Sequence, residues 1–297
     1  MSSSVLFDAP GPRGRRNMMV GNALGAVVVL GILAWVLLVL HQRGQLAPDL
    51  WRPALDARAW EFYYLPGLQN TLRAAAFATV GAVVFGIVFG MGRLSEFRVV
   101  RWLSSVVVEF FRAVPVLLMM VFFNVLFGMF FRGVVADSAF TAVVVALVLY
   151  NGSVIAELVR SGVGNLPKGQ GEAGLTIGLT RGQTLRSVQL PQALIAMLPA
   201  VVSQLVVVLK DSALGQLIGY ADLLRSGQIL ASGAGNPLQV LIVVAVLFIV
   251  LNYLLSWVAH LLAGRLSSRT SGKTEEGPGI GPSLAVTRGG APSGGGH

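Results

Sequence analysis

The chain is expected to be an all-α, polytopic membrane protein with about six spans. Three observations lead there. Of its 297 residues 55% are hydrophobic, and mean hydropathy is +0.74. Only 12% are charged, where a soluble domain averages about 25%. Uncharged apolar runs recur along the chain, and about 20 such residues suffice to cross ~30 Å of hydrocarbon as a helix.

Six spans are predicted, at 18–40, 66–92, 102–131, 138–159, 196–219 and 237–262. The first could be mistaken for a signal peptide. Its apolar core is too long for one, and no small-residue cleavage site follows Leu40, so it reads as a retained anchor. The third is longer than crossing requires and is expected to tilt or to begin in the membrane interface. Residues 1–17 are polar and rich in Gly, Pro and Arg, and are expected to be a disordered N-terminus. Residues 41–65 carry Trp51, Trp60, Phe62, Tyr63 and Tyr64 among charges, as an interfacial segment on the outer face would. Residues 265–297 are rich in Gly, Ser and Pro and have little to bury, which predicts a disordered tail.

The basic residues give an orientation. With the N-terminus inside, the cytoplasmic segments hold Arg13, Arg15, Arg16, Arg93, Arg98, Arg101, Arg160, Lys168, Arg181, Arg186, Arg265, Arg269, Lys273 and Arg288, 14 of the 22. The outer segments hold five: Arg43, Arg52, Arg58, Arg132 and Arg225. Arg73, Arg112 and Lys210 lie within spans. Cytoplasmic loops accumulate Lys and Arg, so both termini are expected inside, and the formal charge of +9 reflects topology, not nucleic-acid binding.

Several chemistries drop out. There is no cysteine, so thiolate metal sites and cysteine nucleophiles are excluded. His41, His260 and His297 are too far apart in sequence to suggest a metal site. No GxSxG or HExxH motif marks a hydrolase, and no GxxxxGK[ST] loop marks an ATPase.

The segment 161–193 is too polar for membrane and too patterned for a linker. Leu166-Pro167 should end the preceding helix, since the residue before proline disfavours the α region. Glu172 suits the first turn of a new helix, and Leu175 and Ile177 follow as apolar contacts. Gly178 stands where a helix end favours positive φ. Thr180 and Gln183 have capping-box spacing and should start a second short helix, which Pro191 would end. The expected shape is an exposed elbow that plugs into a groove on a partner.

Glu172-Ala173, Gly178 six residues on, and Leu190-Pro191 twelve beyond that resemble the EAA loop of permease subunits of ATP-binding-cassette importers. Further stretches resemble the polar amino-acid branch: Gly67-Leu68-Gln69-Asn70-Thr71-Leu72, Glu109-Phe110-Phe111-Arg112-Ala113-Val114-Pro115, Ala156-Glu157-Leu158-Val159-Arg160, Pro167-Lys168-Gly169-Gln170 and Lys210-Asp211-Ser212-Ala213-Leu214. Tyr150-Asn151-Gly152-Ser153 is similar to glutamate-type permeases. The resemblance implies the type I ABC importer transmembrane fold over about 66–264. It implies coupling to an ATPase through Glu172, Ala173, Gly174, Gly178, Leu190 and Pro191. It also implies cytoplasmic ABC ATPase subunits that carry ATP and magnesium, a second permease (often a different chain), an extracytoplasmic solute-binding protein and an amino-acid solute. No cofactor is expected in this chain, and it is not expected to be an enzyme alone. One departure is Gly174, where the family usually has alanine. Glycine costs roughly 0.5–1 kcal/mol relative to alanine in a helix, so a looser docking helix is expected.

Polar residues within spans are costly and tend to face a cavity or a partner. Lys210-Asp211 reads either as part of the pathway or gate, or as a mutually neutralising pair. Glu109 and Arg112, at i and i+3 ahead of Pro115, read as a structural ion pair at a kink that begins the third span. Glu157 and Arg160 repeat that spacing, either as loop anchor and inner gate or as a solvated pair. Asn124, Asn151, Ser203 and Gln204 could meet solute, though such residues more often bond neighbouring helices. Gly81, Gly86, Gly90 and Gly92 should permit close helix packing. A second class of function is a self-sufficient, ion-coupled secondary transporter or channel using Glu109, Glu157 and Asp211. The patterned loop, and the absence of an inverted repeat with broken helices, count against it.

Overall fold

The computed structural model describes residues 11–270, and among them every regular element is helical. The first helix, α1 (Pro12–Gln42), begins with proline at its first position, where the missing N–H costs nothing. Residues 12–17 are therefore helical, not disordered; 1–10 lie outside the described residues. Most apolar side chains of α1 are exposed, with Val39 and Leu40 at its end partly covered. A short amphipathic helix, α2 (Pro48–Leu55), and one turn, α3 (Ala57–Ala59), lead through a π-turn (Trp60–Tyr64) into α4 (Leu65–Arg93). The segment predicted to lie in the interface is held down. Tyr64 is fully buried and its hydroxyl donates to the Ala54 carbonyl at 3.0 Å.

The predicted third span is two helices. α5 (Arg98–Ala113) and α6 (Val116–Phe130) meet at 99°. Val114 precedes Pro115 and is extended, with ψ 128°, so the α5 path cannot continue, and a simple tilt is ruled out. α5 turns a row of exposed apolar side chains outward, including Val99, Trp102, Val106 and Phe110, and buries only Ser104 and Val108.

α7 (Ser138–Gly164) is the central helix, packed on α4, α5, α6 and α10 (Leu190–Ser212). Small residues allow the α4–α7 approach. A Cβ on Gly86 would collide with Ile155, and one on Gly90 would lie 2.7 Å from Val159 Cβ. After α7 come α8 (Lys168–Thr176) and α9 (Arg181–Thr184), then a π-turn (Leu185–Gln189) that runs directly into α10. Pro191 therefore sits in the first turn of α10 and ends nothing. Bonding upstream has shifted to i→i+5, with the Leu190 N–H on the Leu185 carbonyl, and helix is continuous from Arg181.

A 3₁₀ turn (Ala213–Ile218) follows α10, then α11 (Leu223–Ala234) and α12 (Pro237–Thr270). α11 was not foreseen as a helix. Asp222 caps its start and Gly235, at φ +66°, its end. Residues 265–270 continue α12, so the predicted disordered tail begins too early, and 271–297 lie outside the described residues. Among the described residues five helical stretches are long and apolar enough to cross a membrane, or six if the bent α5–α6 pair counts as one span. The bundle core joins α4, α6, α7 and α10 through Ala74, Ala78, Met120, Val143, Leu147 and Leu209.

Candidate coupling and translocation site

At one end of the bundle α8 and α9 form an elbow whose geometry follows from its local sequence. α8 begins at Lys168 behind Pro167, so Glu172 occupies its fifth position and not its first turn. The extended proline allows helix to start immediately, as the Gln170 N–H on the Pro167 carbonyl shows. Gly178 has φ +88°. The Gly178 N–H donates to the Leu175 carbonyl at 3.0 Å and the Leu179 N–H to the Gly174 carbonyl at 3.1 Å, a complete Schellman turn. The Gln183 N–H donates to Thr180 Oγ1 at 3.3 Å, and the Thr180 N–H to Gln183 Oε1 at 2.9 Å, which completes the expected capping box.

The elbow is strapped to α10. Gly174 is buried, and a Cβ there would lie 2.5 Å from Thr184 Cγ2. The glycine is thus a close-packing requirement, which changes the expectation that it loosens the helix. Gln192 on α10 donates to Gln170 on α8 at 3.1 Å. Leu190 is buried against Ile155, Val159 and Met197, so it serves the core, whereas Pro191 is exposed. Glu172 and Ala173 are exposed, and Leu175 and Ile177 are 45% and 76% exposed. An open recess of about 1400 Å³ separates the elbow from the α4–α5 turn, with Leu175 and Glu172 on one side and Phe97 and Val100 on the other.

Beside the elbow, five charged side chains from three helices form one network. Arg93, at the end of α4, donates to Glu157 on α7 at 2.7 Å and to Glu109 on α5 at 2.9 Å. Arg160 reaches Glu157 at 2.6 Å, and Arg112 lies 3.6 Å from Glu109 and 3.8 Å from Glu157. The Arg93 side chain is only 10% exposed, the least of the five. Sequence spacing paired Glu109 with Arg112 and Glu157 with Arg160. It missed Arg93, the hub, which was counted only as a loop charge. Its position at the last turn of an apolar helix, opposite two helical carboxylates, was the available signal.

The remaining polar candidates sort by partner. Gln204 on α10 donates to Asn151 on α7 at 2.6 Å, and the Asn151 amide donates to the Leu147 carbonyl, so these two tie helices together. Ser203 donates to the Pro199 carbonyl within α10. Asn124 on α6 donates to the Ile218 carbonyl at 3.4 Å. Lys210 and Asp211 make no direct ion pair with each other among the described residues, although Lys210 still acts on the Asp211 carboxylate through space. Adjacent helical residues point in directions about 100° apart, so they do not face each other. At the opposite end Asp222 is fully buried. Its Oδ1 accepts from the Arg225 N–H at 2.8 Å, while Oδ2 has no hydrogen-bond partner among the described residues. Burial pushes its carboxyl up to about 7.

Comparison with known proteins agrees with this arrangement. Residues 82–268 match the family described as binding-protein-dependent transport system inner membrane component. The chain is 48% identical over 214 residues to the glutamate transport system permease protein GluD of Corynebacterium glutamicum, covering 72% of this chain and 78% of that one. It is 33% identical over 187 residues to the glutamine transport system permease protein GlnP of Escherichia coli, covering 63% and 85%. Among solved structures, an amino acid ABC transporter crystallised with histidines superposes with a TM-score of 0.62 at 29% identity, covering 68% of this chain and 93% of that one. An alginate-importing bacterial ABC transporter, at 12% identity and a TM-score of 0.53, shares the fold. The α8–α9 elbow, the bundle and the match over 82–268 together make this chain a member of the binding-protein-dependent transport system inner membrane components, the permease subunits of ABC importers.

Proposed function

We propose that this chain is the permease subunit of an importer of polar amino acids of the glutamate type. The observation that carries the reading is the elbow: a short helix whose back is locked to α9 by the Gly174–Thr184 approach and tied to α10 by Gln192–Gln170, and whose outer side presents Leu175 and Ile177. A rigid, exposed apolar tip suits insertion into a groove on a cytoplasmic ATPase. ATP and magnesium belong to that partner, and this chain supplies the path. The bias of 14 basic residues to five supports an inner membrane orientation with both termini and the elbow cytoplasmic. A solute-binding protein then meets the opposite end, where α2 and α11 lie. A second permease, the same chain or a different one, completes the path.

In this reading ATP-driven closure of the partner displaces α8. The strap to α10 passes that displacement into the helix, and Gln204–Asn151 passes it to α7. The transporter rocks between outward- and inward-open states, and differential ATP affinity for the two sets the balance. The resemblance of relatives that are amino-acid permeases favours this over an ion-coupled transporter working without ATPase.

The test is co-purification from gently solubilised membranes. Ile177→Asp places a charge on an exposed tip and leaves packing alone. Loss of an ATPase that accompanies the unaltered chain is the expected outcome. Retention of that ATPase by the variant would overturn the docking role of the elbow, and absence of any ATPase from the unaltered chain would overturn the importer reading.

A further inference from the structure

We propose that Arg73 recognises a carboxylate of the transported amino acid, an inference that rests on the glutamate-type reading above. Arg73 lies eight residues into α4, about 12 Å along the helix from Leu65, inside a stretch long and apolar enough to cross the membrane. It is exposed on an otherwise apolar stripe with Phe77, Val80, Val84 and Val88. Among the described residues it makes no hydrogen bond and no ion pair. Its guanidinium carbon instead rests 4.5 Å from the centre of the Phe140 ring.

A ring face stabilises the cation but leaves its N–H donors open. A charged group at this depth is retained only where it faces a cavity or a partner. The contrast with Arg112 is direct, since that in-span arginine has two carboxylates within 4 Å. The carboxylate at the start of α7, Asp137, is already committed, accepting from the Phe140 N–H at 2.9 Å as the helix cap.

The wall behind Arg73 is built to hold it. Phe140 packs edge-on against Phe77 at 5.9 Å and meets the Tyr220 ring at a tilt, 6.0 Å between centres. The Tyr220 hydroxyl donates to the Asn70 carbonyl at 2.7 Å, one turn from Arg73. The result is a guanidinium that rests on an aromatic shelf and whose N–H donors meet no acceptor among the described residues. The planar guanidinium fork matches a carboxylate bidentately and has no such match for a neutral side chain. An acid on the second permease or a lipid phosphate would satisfy the same chemistry, and the test separates these sources.

The experiment uses the whole importer in proteoliposomes, with its ATPase, second permease and binding protein. It compares the unaltered chain with Arg73→Gln and Arg73→Lys. Three readouts are taken: subunit assembly, ATP hydrolysis stimulated by the loaded binding protein, and glutamate uptake. Loss of charge-assisted hydrogen bonds should lower uptake by Arg73→Gln about tenfold or more, and Arg73→Lys, which keeps the charge without the planar fork, should recover only part of it. Assembly and stimulated ATP hydrolysis should stay unchanged. Uptake by Arg73→Gln equal to the unaltered chain would overturn the inference. So would loss of assembly or ATP hydrolysis along with uptake, which would place Arg73 against a subunit or lipid. Absence of ATP-dependent acidic amino-acid uptake by the unaltered importer would instead overturn the function on which the inference rests.

Discussion

Gly174 and Thr184 approach so closely that a Cβ on the glycine would fall 2.5 Å from Thr184 Cγ2 and 3.1 Å from its Cβ. This contact makes α8 and the long helix after it a single rigid lever. Gly174→Val should lose about 1–3 kcal/mol through overpacking, more than the helix gains from removing glycine. Thermal unfolding in detergent reads the loss, and Thr184→Ala in the same chain should recover part of it. Full stability in Gly174→Val alone would show that α8 can separate from its support at no cost.

Arg93 is the least exposed member of the charge network and contacts both carboxylates. Arg93→Met should therefore destabilise more than Arg112→Met, by about 1–3 kcal/mol against less than ~1. Equal melting temperatures for the two variants would remove Arg93 from the centre of the network.

Asn151 and Gln204 share a 2.6 Å hydrogen bond between α7 and α10. A double-mutant cycle with Asn151→Ala and Gln204→Ala should give a coupling of about 0.6–1.7 kcal/mol. If solute rather than each other is their partner, the stability coupling vanishes and uptake falls in both single variants.

Asp222 predicts a pH dependence. Its carboxyl titrates near 7 in the folded protein against 3.8 in the unfolded chain, so the folded state holds a proton the unfolded state releases. That contribution is fully present below 3.8 and is lost as pH rises through about 7. Asp222→Asn keeps a capping oxygen and cannot ionise. Its melting temperature should match the unaltered protein near pH 4 and exceed it by several degrees at pH 8. Parallel pH profiles for the two proteins would refute the assignment.

What could be foreseen along the chain, and what could not, follows from the range of the forces involved. The Schellman turn at Gly178 and the Thr180–Gln183 capping box were legible because each closes within a few residues. The same holds for the end of α7 near Leu166-Pro167. Spans were legible because a helix in lipid satisfies its own backbone and needs only apolar length. Their ends were harder. α1 starts at Pro12 and α12 runs to Thr270, since a helix propagates into polar flanks that hydropathy excludes.

One-dimensional reasoning also failed at each place where the outcome depended on a distant neighbour. Spacing cannot tell a kink from a 99° corner at Pro115, nor a break from a π-turn before Pro191. Gly174 looked like weakness until Thr184 was seen against it. Glu109 and Arg112 looked like a pair until Arg93 joined α4, α5 and α7. Composition, apolar length and local capping chemistry thus established the class, the spans and the elbow from the chain alone, because these are set by nearest neighbours and by solvent. Which charges meet, which glycines are packing sites, and which in-span arginine rests on a ring and not on a carboxylate are settled by contacts between residues far apart in the chain, and these exist only once the helices have packed.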